Sequence, residues 1–388
     1  LSIASQSFLN EYILFQSKEE ISFVEALKNK IEKSKDINEH EIAILACYLP
    51  LNQSEILIQK LFNYKSSNNL FNDIIKIQIK DILEEKKLKK TINSIEITDQ
   101  VSKKVREQYE ENPYPRWRNV NKISPTNFLT NLNNDIRPNH IFLDKKPITN
   151  NILIAGCGTG QQLATHIFYI DSNILAVDLS LSSLALAKRK MNELNSKNVE
   201  FLHSDLLNLK KIKKKFNVIE CVGVLHHLDD PEFGLTILLD LLEPQGYLKL
   251  GLYSDLARQD IVRTRDEIKI LGVGTSENDI RQFRQSMIES SKASHQRLAK
   301  SPDFFSLSTL RDLIFHVQEH RFTIPQIARC LEELGLKFCG FGNKDIISNF
   351  RFFHGKDANI YDLDLWHKYE ESNSKTFIGM YQFWCQKL

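Results

Sequence analysis

The chain has 388 residues, of which 42% are hydrophobic and 26% charged, with a formal net charge of +2. That length accommodates a main domain and an accessory one, and the apolar share is enough for a real core. A charge so near zero gives no global electrostatic case for nucleic acid or an anionic membrane.

Residues 1–95 hold no glycine, and Pro50 is their one proline. Apolar residues recur there at helical spacing, as in "EIAILACYLPLNQSEILIQKLF" (41–62), which predicts an all-α N-terminal domain. Residues 96–150 read as a connector rich in turn formers. From 151 to 253 short β-rich runs ("NILIAG", "NILAVDLS", "VEFLHSD", "FNVIECVGVL", "GYLKLGLYS") alternate with helical stretches. Such alternation predicts a parallel sheet with helices on both faces. Residues 254–322 break the rhythm and read as a helical lid insertion. A helix ("TIPQIARCLEELGL"), a strand ("KFCGFGN") and an aromatic final strand ("TFIGMYQFWCQKL") follow. The expected division is 1–95, 96–150, and 151–388 with the lid inside it.

Six cysteines (Cys47, Cys157, Cys221, Cys330, Cys339, Cys385) lie far apart and form no CxxC pair. They read as reduced thiols of a cytoplasmic protein, not a disulfide or zinc framework. The apolar stretches fall short of a membrane span, and no signal segment opens the chain. The first residue is Leu1, not Met, which points to further residues upstream.

The sharpest local signal is "ILIAGCGTGQQ" (152–162), a strand-like run ending in Gly156, Gly158 and Gly160. One glycine serves a tight turn, and the others suit close approach of a ligand to bare backbone. Asp178 ends the next strand, roughly the ~20 residues on at which a carboxylate grips ribose hydroxyls. Asp205 ends the strand after that, where it would accept from an exocyclic amine such as adenine's. Together they describe a nucleoside pocket. The spacing is GxGxG, neither GxGxxG nor GxxxxGK[ST], and suits a ligand without phosphates. Gln161 and Gln162 open the following helix, as cofactor contacts or as plain helix surface.

His226 and His227 follow the fourth core strand, and a base poised near neutral pH suits proton removal from an acceptor. Tyr253 and Arg258 follow the fifth. "HVQEH" (316–320) formally matches a zinc-protease pattern on a helix, but no metal is expected here. His316, Glu319 and His320 instead become candidate acceptor-site residues. In "YEENPYPRW", two prolines stiffen an aromatic segment whose Tyr109, Tyr114, Arg116 and Trp117 are placed to wrap a cofactor or acceptor. The lysine runs at 86–90 and 210–215 read as solvated helix ends, so nucleic acid is disfavoured as a partner.

Residues 151–253 resemble a class I S-adenosylmethionine-dependent methyltransferase. "IAGCGTG" is similar to the family's first motif, Asp178 to its acidic strand end, and "SD" (204–205) to its adenine-side motif. "VGVLHHLDDP" and "LEPQGYLKLGLY" are similar to the next two motifs, with Gln245 where a glycine is common. Flanking segments resemble a bacterial subgroup that often carries tetratricopeptide-like helical repeats before this domain. The resemblance implies an α/β, Rossmann-like, doubly wound sheet of seven strands with the last antiparallel. It implies S-adenosylmethionine as cofactor and S-adenosylhomocysteine as product. It also extends the cofactor contacts to Cys157, Leu179, Leu206, Val222 and Gly223. A small-molecule acceptor under the lid and a peptide or protein acceptor both stay open, as does the oligomeric state.

Overall fold

The computed structural model describes residues 1–113, 115–119, 124–135, 139 and 149–388. They form two compact units. One comprises the described residues of 1–91, 115–117 and 260–315, the other those of 92–113, 118–259 and 316–388.

The first unit is helical. Helices Ser2–Leu9, Lys18–Lys33, Glu39–Tyr48 and Glu55–Leu61 precede a long run, Asn69–Ile75 and Asp81–Lys89, joined by π-helical Lys76–Lys80. Their starts are written in the sequence: Ser17 and Glu20 form a capping box, and Asn38 and Ser54 accept first-turn N–H groups. The apolar stripes bury Ile42, Leu45, Leu57, Phe71 and Ile74 against one another. The first four helices have unequal lengths of 8, 16, 10 and 7 residues, which gives the expected repeat no support. The helices between 260 and 315 build a second core from Ile261, Ile280, Phe283, Met287, Leu307 and Leu310, and it takes in Ile13. Arg281 Nε donates to the Tyr12 carbonyl at 2.7 Å, and the Ser308 N–H to the Glu11 carboxylate at 2.6 Å.

The second unit is α/β. Its strands are β1 (Asn93–Ser94), β2 (Asn150–Ala155), β3 (Ser172–Asp178), β4 (Val199–His203), β5 (Phe216–Val222), β6 (Leu242–Leu252), β7 (Leu336–Phe341) and β8 (Tyr381–Lys387). They form one sheet in the order β1-β4-β3-β2-β5-β6-β8-β7. The last strand, β8, runs antiparallel to β6 and β7, and the other pairs are parallel. The expected count of seven is one short. The eighth strand, β1, has two residues, too few to show a periodicity in sequence. Central strands β2 and β5 are buried on both faces (Leu153, Ile154, Val218, Ile219), which is why they read as largely apolar runs. From β2 the chain runs outward through β3 and β4, then returns to β5 on the other side. That switch point leaves a crevice at the carboxyl ends of β2 and β5.

In β6, Gln245 has φ 60°, the left-handed region, at the turn where Pro244 and Gly246 flank it. A side chain there costs roughly 1–2 kcal/mol, partly offset by the greater freedom glycine has when unfolded. Gln245→Gly is therefore expected to stabilise the protein by about 0.5 kcal/mol in denaturant unfolding. A lower midpoint would show that the Gln245 side chain contributes packing that outweighs the strain.

Candidate active site

The glycine turn opens at the end of β2. Gly156, Gly158 and Gly160 have φ of 83°, 51° and 82°. A Cβ on Gly156 would lie 2.1 Å from Val224 Cγ2, and one on Gly160 2.8 Å from Ala187 Cβ. Conformation and space thus both require glycine, and the turn stays bare. Cys157 is buried, and desolvation pushes its thiol well up, so it is no nucleophile here.

Asp178 ends β3 beside this turn. One carboxylate oxygen accepts the Gly158 N–H at 2.7 Å and the other the Ser180 N–H at 2.8 Å. Each oxygen keeps a second lone pair, as a cis-diol would need. Desolvation pushes this carboxyl up to about 6, against the pull of the two N–H groups. Asp205 follows β4. Its Oδ1 accepts the Leu207 N–H at 3.0 Å, and its Oδ2 is buried without a hydrogen-bond partner among the described residues. Burial raises this carboxyl also, opposed by the Leu207 N–H and the Ser102 hydroxyl. A buried orphan acceptor is costly unless a ligand completes it. The bare turn, the diol-ready carboxylate and the orphan acceptor fit a nucleoside cofactor.

The remaining expected contacts divide. Val222 and Gly223 (φ 79°) sit half-buried at the end of β5. Leu179 presents its carbonyl to His203 Nε2 at 2.9 Å, while Leu206 is packed into the core. Gln161 is exposed, and Gln162 turns away to bond the Glu220 carboxylate. Tyr109 lies in the last turn of helix Gln100–Glu111, its ring 5.9 Å from that of His316. Tyr114 lies outside the described residues.

Two residues escaped sequence reasoning. Glu110 accepts the Ser180 hydroxyl at 3.0 Å and the Ser182 N–H at 2.9 Å, docking its helix on the turn that follows Asp178. No local pattern announces a contact across seventy residues. Glu220, in the middle of β5, meets His166 Nε2 at 2.6 Å and Lys249 Nζ at 3.7 Å. A carboxylate inside "FNVIECVGVL" was the available signal. Burial opposes its charge, but His166 and Lys249 prevail and hold the carboxyl well below the usual range. Its ionised form therefore contributes stability above pH 4.5, and that contribution is lost as the pH falls toward 2. Acid titration of Glu220→Gln is expected to lack this part of the wild-type stability loss. Superimposable profiles, with stability measured by unfolding, would contradict the assignment.

The acceptor-side candidates come together at the ends of β5 and β6. His226 and His227 lie in the turn Leu225–His227 that follows β5. The His226 ring stacks on Tyr253 at 3.8 Å, and the Arg258 guanidinium carbon lies 3.5 Å from the same ring centre. Two groups so close to one centre must occupy opposite faces. His227 stacks on His316 at 3.6 Å, and its Nδ1 meets the Gln318 carbonyl at 2.7 Å. The Gln318 N–H donates to His316 Nδ1 at 3.1 Å, and the Gln318 amide meets His320 Nε2 at 3.0 Å. "HVQEH" is not helical, so the shared helix face of a zinc-protease pattern is absent. The stretch runs beside residues 253–255, with Phe322 N–H to Tyr253 carbonyl at 2.8 Å. Glu319 is committed to Arg258, Nη2 to Oε2 at 2.8 Å and Nε to Oε1 at 3.3 Å, with both side chains buried. This pair braces Tyr253. His226 is held neutral by burial and by its neighbours His227 and Arg258, and both its ring nitrogens are buried without a hydrogen-bond partner among the described residues.

Residues 152–246 match the sequence model of a family described as a methyltransferase domain. Residues 152–246 thus form a methyltransferase domain. Over 232 residues the chain is 28% identical to an uncharacterized protein of Synechococcus sp., covering 56% of this chain and 55% of that one. Over 129 residues it is 28% identical to the mitochondrial ubiquinone biosynthesis O-methyltransferase of Schizosaccharomyces pombe, covering 32% and 46%. The chain thus spans about half the length of these curated relatives. Among solved structures, PKMT2 from Rickettsia typhi in complex with AdoHcy is similar at 17% identity and a TM-score of 0.48, covering 63% of this chain and 50% of that one. Among the described residues, no helix of the chain is long and apolar enough to cross a membrane.

Proposed function

We propose that the protein transfers a methyl group from S-adenosylmethionine to an oxygen, nitrogen or carbon nucleophile of a small-molecule acceptor. The observation that carries this is the buried, unpartnered Asp205 Oδ2 in line with Asp178 and the glycine turn, at three successive strand ends. When bound, the cofactor supplies an electrophilic methyl group on a sulfonium. The protein then has to hold the acceptor in line, exclude water and take its proton.

His227 suits the proton step. With Nδ1 facing a carbonyl oxygen, that nitrogen carries the ring proton, and the tautomer places the basic lone pair on Nε2. His226 and Tyr253 form the adjoining wall, and the orphan nitrogens of His226 are groups an acceptor hydroxyl would satisfy. His316 and His320 are held by Gln318 to complete that wall, while Glu319 keeps Arg258 in place. The ubiquinone-biosynthesis relative, an O-methyltransferase by name, supports a small acceptor over the segment it matches. Six cysteines without a disulfide support a reducing compartment, and we place the protein in the cytoplasm.

Labelled S-adenosylmethionine incubated with the protein and a cell extract, followed by size fractionation, tests the acceptor class. Label in the small-molecule fraction is expected. Label confined to protein would overturn that class and make the acceptor a peptide or protein.

A further inference from the structure

The buried Glu220–His166 pair has no place in the chemistry above, and it lies directly beneath the cofactor turn. Glu220 is opposite Ile154 of β2 and Lys249 of β6, one residue short of where β2 gives way to the glycines. Its side chain is 1% exposed and that of His166 5%. An apolar residue would fill a central strand position at no desolvation cost, so a buried ion pair here is weak evidence for stability.

Its connections are specific. His166 lies in the short helix Leu163–His166 that follows the glycine turn. Its Nε2 meets Glu220 Oε1 at 2.6 Å, and its Nδ1 meets the Gln162 carbonyl at 2.9 Å. The Gln162 side-chain amide donates to the other Glu220 oxygen. Gln162 is therefore gripped at its backbone and at its side chain by the same pair. The Tyr169 ring meets His166 edge-on at 5.2 Å and closes the far side. The charged and titratable groups of this cluster are His166, Glu220, Lys249 and Tyr169.

We propose that Glu220 and His166 are positioning residues for the cofactor's amino-acid end. Through Gln162 they fix the exit of the glycine turn, so that Gly158 and Gly160 present bare backbone in one arrangement. Preorganising this turn removes an ordering cost that the cofactor would otherwise meet on binding. The inference rests on the cofactor assignment above.

The test uses S-adenosylhomocysteine as probe, titrated calorimetrically into the full chain, with melting temperature read in parallel. In the double variant Glu220→Leu, His166→Leu both charges go together, so the fold is expected to persist with a melting temperature near wild type. The dissociation constant is expected to rise at least tenfold. An unchanged constant, whatever happens to the melting temperature, overturns the proposal and makes the pair structural. Should the double variant fail to fold, Glu220→Gln offers a second test: it keeps the shape and one of the two acceptor oxygens and loses the charge. It is expected to bind three- to tenfold more weakly, and binding within twofold of wild type overturns the proposal equally. Wild-type protein that does not bind the probe at all refutes the cofactor assignment instead, and the two failures are distinct.

Discussion

Asp178→Ala is expected to weaken S-adenosylmethionine binding by at least about 100-fold, roughly the loss of two hydrogen bonds to a charged acceptor. The carboxylate has two tasks in this structure. It holds the Gly158 and Ser180 N–H groups and keeps lone pairs for the diol. Alanine removes both, so the glycine turn loosens as the ribose loses its acceptor. Asp178→Asn retains one good acceptor and should fall between. A pH effect follows from the same residue. Its carboxyl is pushed up to about 6, and the ionised form is the one that accepts two bonds. Affinity should hold above that pH and decline as the pH falls through it. Equilibrium dialysis with labelled cofactor measures both effects. Unchanged affinity in Asp178→Ala would remove the ribose assignment.

His227→Ala is expected to slow methyl transfer by about 10²- to 10⁴-fold, the usual range for a lost general base. Cofactor affinity should stay within about twofold, because the ribose and adenine acids lie on other strands. The Gln318 carbonyl sets the tautomer, so the effect depends on a positioned lone pair and not on charge. Single-turnover rates with labelled cofactor, set beside the binding constant, separate the two quantities. Equal loss of rate and affinity would mean that the His227–His316 stack holds the site together and that His227 is not the base.

The parts of the site legible in sequence are those coded within one element. Gly156, Gly158, Gly160, Asp178 and Asp205 each sit where a strand meets a turn, and strand ends can be read from period and punctuation. The parts that stayed hidden depend on tertiary pairing. Glu110 acts on Ser180 and Ser182 across the sequence, and Glu220 looks like a misplaced charge until His166 and Gln162 close around it. Glu319 and Arg258 were each legible as chemistry, but not their commitment to one another. The fold followed the same rule. The alternation from 151 to 253 predicted the parallel strands, whereas two-residue β1 pairs with β4 through register alone. The zinc-protease spacing at 316–320 lacks the helix that pattern needs, since that stretch is not helical.

The crevice between β2 and β5 is the proposed S-adenosylmethionine site. Calorimetric titration of the wild-type chain with S-adenosylhomocysteine tests it without knowledge of the acceptor. Saturable binding of one molecule per chain, abolished in Asp178→Ala, is the predicted result. No saturable heat with folded protein, or equal binding by the variant, would contradict it.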